Sequence, residues 1–216
     1  KTVLLLEIYR SYIRKDIKDF AEIENVPAFN NLIELLSHQI GNLVNISDLT
    51  NSLSISRPTV ENNLFLLQNT FIVLELPPFY TNRRQEIVKS SKVFFYDIGL
   101  RNSIMRNFEP LLQRTDKGML FENSVFSELC KQLSFLETLH FWRSKSKAEV
   151  DFIIRGKDII PIEVKYSNFN SPKIPSGLRS FINTYNPKAA FVITFDYFGE
   201  KLLQGTHVFF IPAWCI

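Results

Sequence analysis

Cysteine is scarce in this 216-residue chain: Cys130 and Cys215 are the only two. They cannot build a disulfide framework or a zinc set, which fits a reducing cytoplasm. Glycine is scarce as well. The seven glycines, at 41, 99, 118, 156, 177, 199 and 205, are never spaced as G-x-G-x-x-G or as G-x-x-x-x-G-K-[ST]. Neither glycine device for cradling nucleotide phosphates is therefore present. Long apolar runs are missing too. Residues 3–6 and 71–76 fall far short of the about 20 residues of a membrane span, so no membrane partner is expected. No sign of charge dominates, with 25 basic and 22 acidic side chains, so any contact with nucleic acid must come from local patches. His38, His140 and His207 show no metal-ligand spacing, and no Ser-His-Asp arrangement is suggested. The sequence starts at Lys1 without a signal-peptide pattern and is read as a piece of a longer protein.

Apolar residues make up 45% of the chain, enough for the cores of one large or two small domains. The first half is helical. Leu4, Leu5, Ile8, Tyr12, Ile13 and Ile17 recur at helical spacing to about residue 20, and Phe29, Leu32, Ile33, Leu36 and Ile40 do so up to Gly41. Ile46-Ser47-Asp48-Leu49 opens a short helix with Ser47 as its expected N-cap. Ser56-Arg57-Pro58-Thr59-Val60 starts the next, with Ser56 capping and Val60, Leu64 and Leu67 forming the buried stripe. This is the pattern of a helix-turn-helix. Strands over 71–76 and 92–96 would make it a winged version.

Nucleic-acid contacts are expected from Arg57, Thr59, Asn62 and Asn63 on the second helix, where the asparagines can read an adenine edge. The wing adds Arg83, Arg84, Lys89 and Lys92 against the single acid Glu86. Against this, Glu61 repels phosphate, and residues 1–92 carry ten basic and ten acidic side chains, so a protein-interaction role stands beside DNA binding.

The second half alternates helices and strands: a helix from Gly118 to about Leu133, strands over 138–142, 149–155 and 159–166, a helix over 177–185, and strands over 189–195 and 207–211. The expected fold class is α+β, a winged helix-turn-helix domain over 1–100 followed over 101–216 by an α/β domain with a mixed central sheet. Strand alternation puts Glu149, Asp151 and Ile153 on one face, and Glu163 with Lys165 on one face of the next strand. With Gly156-Lys157-Asp158 as the hairpin turn, Asp151 and Glu163 face each other. Two hard carboxylates beside a lysine suit Mg²⁺ or Mn²⁺, a metal that polarises a phosphodiester and activates a water, while Lys165 orients that water or stabilises developing charge. Asp151 followed twelve positions later by Glu163-x-Lys165 has the spacing of the P-D-(D/E)-x-K nucleases, and Glu122 matches the extra helical acid of many of them. The same residues can instead form a salt-bridge set across a sheet. Arg143, Lys145 and Lys147 form a basic loop that can guide a phosphate backbone, with Trp142 or Tyr166 as a stacking surface or as core. Pro161 cannot donate to a ladder and belongs at a strand start or on an edge.

Taken in order, Arg14-Lys15-Asp16-Ile17, Ser56-Arg57-Pro58-Thr59-Val60, Pro77-Pro78, Lys89-Ser90-Ser91-Lys92, Phe95-Tyr96-Asp97-Ile98-Gly99-Leu100, Gly118-Met119-Leu120-Phe121-Glu122-Asn123, Trp142-Arg143-Ser144, Glu149-Val150-Asp151-Phe152 and Ile162-Glu163-Val164-Lys165 cover nearly the whole chain. This series resembles the C-terminal region of bacterial and archaeal ATPases of the AAA superfamily. The resemblance implies a restriction-endonuclease-like second domain, a nucleic-acid partner, and an N-terminal ATPase module that would carry the ATP site. It leaves oligomeric assembly open. One branch of that nuclease-like fold has Gln-x-x-x-Tyr on the following helix; here Phe181 stands four residues before Tyr185.

Overall fold

The computed structural model describes residues 2–11, 25–80, 90–167 and 169–216. Among the described residues the chain forms seven α-helices and two sheets, and it divides into two compact units. The first unit takes the described part of 1–75 together with 92–114; the second takes the described part of 76–91 together with 115–216.

The first unit contains α1 (Thr2–Ser11), α2 (Val26–His38), α3 (Ile46–Leu53), α4 (Arg57–Asn69), β1 (Val73–Leu76), β2 (Lys92–Phe95) and α5 (Ile98–Met105). α2 is its centre. Its buried residues Ala28, Phe29, Leu32, Ile33 and Leu36 follow helical spacing and face α3, α4 and α5. Each such fully buried apolar side chain contributes about 1.5–3 kcal/mol. α3 is capped by Asn45, not by Ser47: Asn45 Oδ1 accepts from the Ser47 and Asp48 amides at 3.0 and 3.4 Å. Ser54, in the left-handed region at φ 53°, closes α3 and makes the turn into α4. Ser56 caps α4 by accepting from the Thr59 amide at 3.3 Å, as its sequence position requires.

β1 pairs with β2, and Leu43 adds an antiparallel bridge to Lys92. The chain does not leave this unit at residue 100. α5 packs on α1, α2 and β2. The buried Arg101 donates from Nε to the Ser37 carbonyl at 2.9 Å, supplying a partner at the end of α2, where carbonyls lack helical ones. The unit therefore continues to Arg114.

The second unit is built on α6 (Lys117–Gln132), β3 (Thr138–Arg143), β4 (Glu149–Arg155), β5 (Ile159–Lys165), α7 (Ser176–Tyr185), β6 (Ala189–Thr194), β7 (Gly199–Leu203) and β8 (Thr206–Pro212). They form one mixed sheet in the order β3-β4-β5-β6-β8-β7. β3, β4 and β5 are antiparallel; β5, β6 and β8 are parallel; β7 returns antiparallel to β8. β7 has no counterpart in the sequence reading. Gly199-Glu200-Lys201 carries little apolar signal, and the strand is made by the tight turn at Gln204 and Gly205, with φ 51° and 84°, onto the well-patterned β8.

α7 lays Leu178, Phe181 and Ile182 into a core with Trp142, Val150, Ile153, Val192, Val208 and Phe210. Its first turn lies so close to β4 that a Cβ on Gly177 would overlap the Glu149 carbonyl oxygen. Pro161 sits in mid-β5 yet keeps the rule for proline. It is paired with Ile153 of β4, and the register with β6 starts only at Ile162, so this stretch of β5 is an edge.

Candidate active site

The register of β3 on β4 slips between His140, which faces Ile153, and Trp142, which faces Val150. Phe141 alone on β3 thus lies opposite two residues on β4, a bulge at Asp151-Phe152. Its consequence is a correction to simple alternation. Ile153 does not share a face with Asp151; it joins Val150 in the α7 core, while Phe152 turns to Phe126 of α6 at 6.0 Å between ring centroids. Pairing of β4 with β5 ends at Phe152 opposite Ile162. One step on, where the strands part, Asp151 and Glu163 come from facing positions. Asp151 Oδ2 accepts the Val164 amide at 2.7 Å, so a carboxylate takes the place of the missing ladder carbonyl.

Glu163 is the buried member, with its side chain 7% exposed. Its Oε1 accepts from Lys165 Nζ at 2.7 Å, while Oε2 is buried without a hydrogen-bond partner. Burial first, then the charge of Asp151, pushes the Glu163 carboxyl up to about 8, against a smaller downward pull from Lys165. Glu122, on α6, which packs on β5, adds a weaker upward push. Burial alone would draw the Lys165 ammonium down, but Glu163, Asp151 and Glu122 outweigh it and hold its pKa above the usual lysine value. Lys165 is therefore a fixed positive charge at neutral pH, suited to stabilising an anion and unsuited to acting as a base.

The structure thus brings Asp151, Glu163 and Lys165 together and sets Glu122 within electrostatic reach. Among the described residues no three His, Cys, Asp or Glu side chains converge as a ready cage for one metal ion. Mg²⁺ commonly needs no such cage: it retains waters and takes one or two carboxylates together with substrate phosphate. The acidic pair and the unpartnered Glu163 Oε2 fit that requirement.

The other expected contacts divide. Arg143, Lys145 and Lys147 are exposed on a hairpin pinned by Ser144, whose Oγ accepts the Ala148 amide at 2.9 Å; Arg143 also lies 3.6 Å from Glu149. Trp142 is core, not a stacking surface. In the first unit Arg57 is exposed but bound to Glu61 at 2.8 Å. Thr59 shares a hydrogen bond with Ser56 at 2.7 Å, and Asn62 is exposed. Asn63 and Lys92 are corrections: both are buried and do not present themselves at the surface. Asn63 falls between Val60 and Leu67 on the inward face of α4, and Lys92 is buried at the start of β2. Arg83, Arg84 and Lys89 lie outside the described residues. The sequence reading missed Lys117, whose Nζ sits 5.7 Å from the centre of the Tyr166 ring.

This chain belongs to a family of domains of unknown function. Residues 1–111 match the family described as Domain of unknown function (DUF8612), and residues 117–216 match Domain of unknown function (DUF4143). The two matches meet close to the division between the compact units. An uncharacterised protein of Haemophilus influenzae is 24% identical over 225 residues, covering all of this chain and 52% of that protein. An uncharacterised protein of Methanocaldococcus jannaschii is 26% identical over 172 residues, or 77% of this chain and 37% of that protein. One from Mycobacterium tuberculosis is 27% identical over 150 residues, or 68% of this chain and 33% of that protein. The chain thus spans about half, or less, of the length of these relatives. No helix among the described residues is long and apolar enough to cross a membrane.

Proposed function

We propose that the second unit is a nuclease-like module that cleaves phosphodiesters with Mg²⁺ or Mn²⁺, and that the first is a winged helix that contacts DNA. On this reading the chain is the C-terminal part of an AAA-type ATPase, a setting in which DUF4143 domains are often found. The observation that carries the reading is the parting of β4 from β5 at Asp151 and Glu163. It leaves two facing carboxylates, one buried oxygen without a partner and a charged lysine at one place.

Asp151 and Glu163 would hold the metal, with Glu122 beside them, and the metal when bound would polarise the phosphodiester and activate a water. The chain's own contributions follow from the geometry. The bond from the Val164 amide fixes the Asp151 carboxylate. Lys165, leaving Glu163 for the reacting phosphate, stabilises the charge that develops there. The exposed Arg143, Lys145 and Lys147 guide the backbone toward it.

The test is cleavage of labelled single-stranded, duplex and branched DNA in Mg²⁺ or Mn²⁺, with wild type beside Glu163→Ala. Cleavage that disappears in the variant is the expected result. Absence of cleavage by folded protein, with the ATPase portion present as well as absent, overturns the proposal.

One observation favours a second reading. Lys165 is closed onto Glu163, and among the described residues no three-carboxylate group is assembled, which fits a module that binds DNA or a protein partner and regulates the ATPase without cutting. Metal titration separates the two. The catalytic reading requires Mn²⁺ binding that Asp151→Ala removes, whereas a structural set shows no metal response and loses stability in that variant.

A further inference from the structure

The carboxyl ends of parallel strands are where open α/β sheets place their ligands, and here that end is lined with rings. Tyr166 directly follows Lys165 at the end of β5, and Phe195 follows β6. Their centroids are 5.2 Å apart, edge to face. The buried Phe121 of α6 supports both, at 5.4 Å from Tyr166 and 6.3 Å from Phe195. Phe198 and Trp214 form a second pair at the same end, 5.5 Å apart. Phe195, Phe198 and Trp214 are 42%, 58% and 71% exposed, an unusual density of large apolar rings in water.

These rings are held, not loose. Thr194 Oγ1 donates to the Tyr197 carbonyl at 2.8 Å and accepts the Tyr197 amide at 3.0 Å, which pins the turn that carries Phe195 outward. Tyr197, in the same turn, points the other way and packs on Phe169 and Phe210. One cation lies against the pair, Lys117 over the Tyr166 ring, and Lys165 of the neighbouring site precedes Tyr166 in the chain.

We infer that Tyr166 and Phe195 form a stacking platform for unpaired nucleobases, so that the strand delivered to Asp151, Glu163 and Lys165 is single-stranded or frayed. The inference rests on the nucleic-acid reading proposed above and names the substrate class of that same site. Aromatic faces accept any base, and flanking cations take the phosphates of a strand whose bases are splayed out. A closed duplex presents no base faces to such rings.

The test is the affinity of the full chain for a labelled short DNA strand, for the same sequence as a blunt duplex, and for an abasic strand of equal length, all with EDTA. The single strand is expected to bind best. Tyr166→Ala and Phe195→Ala should each weaken it by about 5- to 100-fold, whereas Tyr166→Phe retains affinity. Equal affinity for the abasic strand or the duplex overturns the inference, as does unchanged binding in both alanine variants, the result expected if another protein segment covers the rings. Strand-indifferent cleavage that depends on Glu163 would overturn the platform and leave the cleavage reading standing. Platform-dependent strand binding without cleavage in Mg²⁺ or Mn²⁺ would do the reverse.

Discussion

Replacing Glu163 by glutamine should make the second unit more stable at alkaline pH and leave it nearly unchanged in acid. The Glu163 carboxyl ionises near 8 in the fold, against 4.5 as its ordinary value. Because its pKa is raised, the folded state holds the proton that the unfolded state gives up. Its contribution is therefore complete below about 4.5 and is lost as pH rises through about 8. At about 1.4 kcal/mol per pH unit, the gap corresponds to roughly 5 kcal/mol between those limits. The pull of Lys165 is already inside that figure. Lys165 and Cys130, both with raised pKa values, titrate above this window. Both tryptophans, Trp142 and Trp214, lie in the second unit, so urea unfolding followed by their fluorescence reports on it. Wild type should lose stability steadily between pH 5 and pH 8, and Glu163→Gln should flatten that slope. A bound divalent cation favours the ionised pair, so Mg²⁺ should restore wild-type stability at pH 8 and do nothing for the variant. A wild-type profile that is flat across the window, or a variant with the same slope, would refute the reasoning.

Gly177→Ala should destabilise the second unit by about 2 kcal/mol or more, because the clash is with the Glu149 backbone and no side chain can yield. The comparison is Gly156→Ala, where an added Cβ would meet the Glu137 side chain, its Cγ at 2.9 Å, rather than backbone, so the loss should be smaller than at Gly177; urea midpoints compare them. Alkylation should separate the two cysteines. Burial pushes the Cys130 thiol up to about 11, so the exposed Cys215 should react at neutral pH, while Cys130 reacts only on unfolding, as mass spectrometry of the labelled peptides would record.

Periodicity was a sound guide wherever one face of an element is buried. The stripes of α2, α4 and α7 are legible because Leu32 and Leu36, Val60 and Leu64, and Leu178 and Ile182 repeat at helical spacing. The failures are local and physical. Asn45 outcompetes Ser47 because its carboxamide oxygen reaches two amides from two positions further upstream. Asn63 looks like a surface residue by chemistry but sits in register with Val60 and Leu67. Lys92 opens the strand expected over 92–96, but it is buried together with Val93, Phe94 and Phe95 rather than held at the surface. At the candidate site, Glu163 and Lys165 were legible as sharing one face of a strand, and they are in contact. The bulge at Asp151-Phe152 was not, since nothing in Glu149-Val150-Asp151-Phe152-Ile153 interrupts the alternation. It is set by how β3 pairs across the sheet.

That bulge also bears on what the acidic cluster is for. A salt-bridge set kept for stability would gain from being ionised, whereas burial and Asp151 hold Glu163 against ionisation. Asp151 spends an oxygen on a backbone amide, and Glu163 carries a buried oxygen with no partner while shifted against ionisation by burial and by Asp151. Lys165 is the ion-pair partner of Glu163, and at neutral pH the Glu163→Gln variant is expected to be the more stable of the two. On the reading proposed above, a carboxyl held against ionisation where β4 and β5 part fits a site for a ligand that supplies positive charge. The Glu163→Gln variant makes that argument measurable, because the variant that gains stability should be the one that loses the metal response.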